Sequence, residues 1–161
     1  RKDIAIFTFY ADCLPIFVYD KENQVIGAWH SGWPGTFKEM MKSGLLEMQK
    51  KYGTQVENVV MALGIGIGQK DYEVGNEFYD KFVEKFGKSN REIVEKSFWF
   101  NDKTGKYHFD NTKFNELMAL KLGIKQENLI VAAESTFDGK FHSYRREGKN
   151  AGRATAMISF K

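Results

Sequence analysis

One cysteine, two prolines and three histidines are all that this 161-residue chain holds of those residue types. A single cysteine excludes an internal disulfide framework and fits a reducing compartment. No apolar run reaches the roughly 18 to 20 residues of a membrane span, and no secretory signal is visible. The expectation is therefore a cytoplasmic protein with no membrane partner. Charge of one sign is scarce as well. The 24 basic and 21 acidic residues leave a net +3 that is spread along the chain, too mild and too scattered for a nucleic-acid or anionic-membrane surface. An initiator Met is missing too: the chain opens on "RKDIAIFTFY", charges leading into a strand-like run, as expected of an interior start.

Aromatic residues are plentiful by contrast. Fourteen Phe, seven Tyr and three Trp are expected to fill much of the core. At 42% hydrophobic and 28% charged, a chain of this length can bury one sizeable core. No repeat, low-complexity tract or linker divides it, so one domain is expected. Short runs rich in β-branched and aromatic residues predict strands at 4–10, 14–19, 24–30, 58–67, 97–100, 106–109, 128–132, 141–144 and 154–160. Thr36 and Glu39 stand at capping-box spacing and open a helix with Phe37, Met40, Met41, Leu45 and Met48 on one face, ending near Gly53. A second helix carries Phe78, Phe82, Val83 and Phe86 and stops at Gly87. A third spans 111–122 with Phe114, Leu117, Met118 and Leu122 apolar and Gly123 as its stop. Strands gather at both ends with helices between them, without regular βαβ alternation. This predicts an α+β fold, a mixed β-sheet sandwich with flanking helices.

The chemistry-bearing residues concentrate in a few stretches. His30 sits in "GAWHSGWPGT", among glycines, tryptophans and a proline. Upstream, two predicted strands flank the polar turn "DKEN", Asp20 to Asn23. A hairpin centred between Lys21 and Glu22 sets Cys13 directly across from His30, with Cβ atoms roughly 4.5 to 5.5 Å apart. A thiolate and an imidazole at that distance can be two ligands of one zinc, or a nucleophile and its base. The plainer alternative is a buried Cys13 acting as a small hydrophobe and a His30 satisfied by backbone. Asp12 can orient a ligand or raise its basicity, and Gly32 and Gly35 let backbone approach a bound group. A catalytic zinc usually takes three protein ligands, and two are visible. His108, alternating with aromatics in "KYHFD", reads as a half-exposed strand residue, and His142 as a surface or supporting one.

"LGIGIGQKDYEVG" places Gly64, Gly66, Gly68 and Gly75 between a strand and a helix, where backbone N–H groups can cradle an anion. It matches neither G-x-G-x-x-G nor a Walker loop, and a tight corner explains the glycines equally well. Arg145, Arg146 and Arg153 fall within nine residues in "SYRREGKNAGRATA", and guanidinium groups can hold a phosphate or carboxylate bidentately.

Together "YADCLPIFVYD", "AWHSGWPGT", "GIGIGQKDYEVG" and "FHSYRREGKNAGRATA" resemble, in order and spacing, the YfiH-like family, also called the laccase-domain, polyphenol-oxidase or purine nucleoside phosphorylase family. The resemblance spans nearly the whole chain. It implies a mixed α/β fold and a zinc site of one Cys and two His, with Cys13 and His30 matching two of the ligands. The third lies in an N-terminal segment of the family, so residues 1–161 correspond to a single YfiH-like domain without that segment. The activity implied is zinc-dependent phosphorolysis of purine nucleosides with deamination of adenosine, so that a purine nucleoside and phosphate are the expected partners. On this reading Asp12, Cys13 and His30 are catalytic, and Gly32, Gly66, Arg145 and Arg153 contact substrate. The alternatives are a copper-dependent polyphenol oxidase, for which one Cys and three His are too few for several copper sites, and a degenerate non-catalytic relative. Two positions depart from the family pattern. Pro34 replaces an Arg that usually follows His-Ala-Gly-Trp and offers neither charge nor donor, and Ile65 replaces a common Pro.

Overall fold

In a computed structural model, which describes residues 3–160, strands come first and last along the chain and helices occupy the middle. The strands are β1 (Ala5–Tyr10), β2 (Leu14–Asp20), β3 (Val25–Ser31), β4 (Val59–Leu63), β5 (Glu73–Val74), β6 (Phe98–Asn101), β7 (Lys106–Phe109), β8 (Leu129–Val131) and β9 (Ala154–Ser159). The helices are α1 (Trp33–Phe37), α2 (Met40–Tyr52), α3 (Asn76–Ser97), α4 (Asn111–Lys121) and α5 (Tyr144–Glu147). A mixed four-stranded sheet runs β3-β2-β4-β8, with β4 and β8 parallel and the other pairs antiparallel. An antiparallel β1-β9 ribbon and a three-stranded β5-β7-β6 sheet complete it. The α+β expectation holds. Among the described residues no helix is long and apolar enough to cross a membrane.

Two cores form where one was expected. In the first, alternate β2 residues Leu14, Ile16 and Val18 and alternate β4 residues Val59, Met61 and Leu63 face Met41, Leu45 and Met48 of α2. That is the period-2 pattern of strands meeting the helical stripe of α2. The second is almost wholly aromatic: Phe82 and Phe86 of α3, Phe98 of β6, Phe109 of β7 and Phe114 of α4. Phe82 lies 5.0 Å from Phe109 and 5.3 Å from Phe114, at tilted or edge angles that suit ring quadrupoles. Helix α4 joins the two, giving Phe114 and Met118 to one core and Ala119 to the other.

Several boundaries differ from expectation for identifiable reasons. The predicted helix at Thr36 is two helices, because Glu39 adopts a left-handed conformation, φ 57°, between them. No capping box forms. Thr36 is instead buried and donates its hydroxyl to Asn111 Oδ1 at 2.7 Å. Helix α3 passes through Gly87 and ends at Ser97, bending at Asn90 (φ −139°), because burial of Ile93 and Val94 in the aromatic core favours continuation. The predicted strand at 141–144 is a turn that leads into α5, whose start is capped by Ser143 Oγ accepting from Arg146 N–H.

The β2–β3 register matters most. Asp20, fully buried, accepts from the backbone N–H groups of Glu22 and Asn23 and from Asn23 Nδ2. Burial acts to raise its pKa, but hydrogen bonds including these hold the carboxyl below its ordinary value. The turn they close extends through Gln24, which is left-handed at φ 52°, so Asp20 pairs with Val25. Pro15, not Cys13, consequently lies opposite His30. The expected direct Cys13–His30 pairing is corrected by two residues.

Candidate active-site pocket

Cys13 ends the short link between β1 and β2 and comes against Gly32, where a Cβ would meet its Sγ at 2.7 Å. Beside it opens a pocket of about 180 Å³, lined by Asp12, Cys13, Gly32, Trp33, Ile67, Tyr72, Asn111, Tyr144 and Arg145 together with Ala11. Asp12 draws together the corner at Ile67 and the stretch from Thr136 to Arg145. Its Oδ1 accepts from Thr136 Oγ1 at 2.7 Å and its Oδ2 from the backbone N–H of Arg145 at 2.7 Å. Its carbonyl accepts from Ile67 N–H at 3.1 Å, and Thr136 N–H in turn donates to Gly66 O at 2.9 Å. Hydrogen bonds to a carboxylate are the stronger kind. Asp12 therefore ties these stretches together.

The charged groups separate by duty. Arg145 donates Nη1–H to Glu73 O at 2.8 Å and sets its guanidinium 5.1 Å from the Tyr72 ring centre, a cation–π distance. No other side-chain hydrogen bond of Arg145 forms among the described residues, and the residue lines the pocket. Arg146 is consumed by structure: its guanidinium donates to the carbonyls of Thr136, Phe137, Asp138 and Phe141 and pairs with Glu147. Arg153 lies outside the lining, donating to the carbonyls of Ala151 and Gly152, though its charge reaches Cys13.

Burial pushes the Cys13 thiol up, Asp12 adds to this, and Arg153 opposes it. Burial also pushes the Tyr72 phenol up to about 12, against Arg145, so at neutral pH the phenol is a proton-bearing donor. His30 is exposed, and its Nδ1 lies 3.3 Å from Thr8 Oγ1. Cys13 and His30 thus form no hydrogen-bonded nucleophile–base pair among the described residues. Among those residues, too, no group of three or more His, Cys, Asp or Glu is placed to hold a metal ion. Two donors do not fill a catalytic zinc site, which takes three. The residues described do not by themselves fit that metal.

The glycines divide as well. Gly32 lines the pocket. Gly66 instead packs on Asp12, whose carbonyl would be 3.4 Å from an added Cβ, and bridges to Ser135. The N–H groups of Ile67 and Gly68 are taken by Asp12 O and Ser135 Oγ, so this stretch is a tight corner and not an anion cradle. Pro34 occupies the first turn of α1, where a missing N–H costs nothing. His108 is buried, 7% exposed, where half exposure was expected: Trp99 lies across from it on β6, with ring centres 4.8 Å apart, and covers it. His142 is exposed, 3.7 Å from Glu147 Oε2, as a surface residue should be. Thr136, Tyr72, Trp33 and Tyr144 were not legible as site residues. Trp33, Tyr72 and Tyr144 each lie inside a stretch singled out for other residues, whereas Thr136 had no signal near it.

Residues 1–161 match the family model described as multi-copper polyphenol oxidoreductase laccase. A purine nucleoside phosphorylase of Bacteroides thetaiotaomicron is 35% identical over 150 residues, which are 92% of this chain and 54% of that protein. Adenosine deaminase RL5, from an unknown prokaryotic organism, is 30% identical over 159 residues, 98% of this chain and 58% of that one. The crystal structure of Bacillus licheniformis hypothetical protein YfiH superposes with a TM-score of 0.89 at 24% identity, covering 100% of this chain and 59% of that chain. The chain thus spans a little over half the length of these relatives.

Proposed function

This chain belongs to the multi-copper polyphenol oxidoreductase laccase (YfiH-like) family, and on that premise we propose that it serves purine-nucleoside phosphorolysis, with deamination of adenosine as a companion activity. The observation that carries the proposal is the pocket beside Cys13, where a pinned carboxylate, a guanidinium with unspent donors and a neutral phenol meet. Phosphorolysis needs a phosphate held near the sugar and a departing purine that is stabilised. Arg145 is the group for the phosphate, since its N–H fork suits a tetrahedral oxyanion. A phosphate oxygen then bonds to C1′ of the ribose as the C1′–N9 bond breaks, and the purine leaves with the electron pair and takes up a proton. Tyr72, protonated and in the same pocket, is the donor placed to hydrogen-bond that purine. Asp12 keeps Arg145 and Cys13 in register.

A zinc ion would be held by Cys13 and His30 only together with a further donor, and the chemistry it would then supply is Lewis-acid activation of water for deamination. Oxidation of phenols ranks lower, since the relatives compared above carry names from purine chemistry. Incubating the full-length protein with adenosine and phosphate should give adenine, ribose 1-phosphate and inosine. Absence of all three products, with metal supplied, refutes the proposal.

A further inference from the structure

Phe7, Phe9, Trp33, Tyr52, Trp99, Phe100 and Tyr144 are the exposed aromatic side chains among the described residues. Of these, Trp33 and Tyr144 stand at the candidate site. They are 39% and 52% exposed, and both line the pocket beside Cys13. Trp33 makes only an edge contact with Phe78, at 5.2 Å and 63°, and Tyr144 has no aromatic neighbour among the described residues. What sets these two apart from the other exposed rings is that they share one pocket with Arg145, where an occupant would cover their apolar area.

Both rings are rigidly mounted. Trp33 opens α1, whose buried Thr36 is tied by its hydroxyl to Ser31, Asn111 and Asn115 at 2.7 to 2.9 Å. Tyr144 opens α5 between Ser143, fully buried and serving as its cap, and Arg145, whose N–H is held by Asp12. These mounts fix two rings from distant parts of the chain at one pocket, next to the guanidinium that would hold an anion. A flat heteroaromatic ring bearing a sugar suits that combination, because stacking is satisfied by any base π-face.

The geometry points to Trp33 and Tyr144 as the walls that hold the purine base. This inference rests on the purine-nucleoside reading above and adds the residues that set its substrate class. Each wall is tested by replacement with leucine, which keeps bulk and removes the ring. In the full-length protein, Trp33→Leu and Tyr144→Leu should each weaken calorimetric binding of inosine and of hypoxanthine roughly 5- to 100-fold, the range measured for loss of one base–aromatic stack. Affinity for ribose 1-phosphate, which has no base, should stay within about twofold. Tyr144→Phe should recover most of the loss, since the ring and not the hydroxyl does the holding. Wild-type affinity for both purines in both leucine variants overturns the clamp even if the enzyme turns over nucleosides. Purine binding that weakens as expected in a wild type without phosphorolysis keeps the clamp and overturns the reaction. Neither binding nor turnover overturns both.

Discussion

Replacing Thr136 with valine keeps the shape of a fully buried side chain and deletes one hydrogen bond, the 2.7 Å contact from its hydroxyl to Asp12 Oδ1. A hydrogen bond to a charged acceptor contributes about 1.5 to 3 kcal/mol, and the orphaned carboxylate oxygen keeps the loss toward the upper end. For a domain of this size, each kcal/mol moves the melting temperature by roughly 2 to 4 °C, so Thr136→Val should melt about 3 to 12 °C lower. Thr136→Ser keeps the hydroxyl and gives up one methyl, about 0.8 kcal/mol if fully buried, for a drop of about 3 °C or less. The assay is thermal unfolding by circular dichroism of the three proteins at pH 7. Because Asp12 Oδ2 also holds the Arg145 N–H, the valine variant should lose nucleoside turnover by more than the serine variant does. A valine variant that melts within about 1 °C of wild type would refute the reasoning that Asp12 ties these segments together.

Other perturbations separate the roles argued above. Gly32→Ala puts a Cβ 2.7 Å from Cys13 Sγ, so the thiol must shift, and titration with a thiol reagent should show altered Cys13 reactivity while the fold by circular dichroism is kept. Arg146→Ala strips the carbonyls of Thr136, Phe137, Asp138 and Phe141 of a shared donor and should lower the melting temperature. Arg145→Ala should instead raise KM for phosphate by about tenfold or more, the equivalent of one charge-assisted bond, with the smaller effect on melting. Asp20, with its pKa depressed in the fold, contributes stability that is present above the ordinary carboxylate pKa of about 3.9 and is lost as pH falls through the lower folded value. Melting measured from pH 6 down to 2.5 should therefore drop less steeply for Asp20→Asn than for wild type.

Legibility in the sequence followed the range of the interactions involved. The α2 stripe of Met41, Leu45 and Met48 and the alternation along β2 could be read because each pattern is local and meets one core. The hairpin was readable to within two residues of register. Its register turned on whether Gln24 belongs to the strand or the turn, and that is decided by the buried Asp20 carboxylate gathering the N–H groups of Glu22 and Asn23. Glu39 matched a capping box by spacing alone, but Thr36 found better partners in Asn111 and Asn115, far along the chain. The site shows the same division. Asp12, Cys13 and Gly32 were visible as a cluster, whereas Thr136 reaches Asp12 across 124 positions and nothing near it in sequence announces the contact. Arg145 and Arg146 look alike in sequence, and only the fold sends one to the pocket and the other to the loop carbonyls.

The most direct measurement is hypoxanthine release from inosine by the full-length protein, with and without inorganic phosphate. Release that depends on phosphate and yields ribose 1-phosphate in equal amount is the result expected of a pocket in which Arg145 presents the anion to the sugar. Release at the same rate without phosphate, giving free ribose, or no release at all, would contradict it.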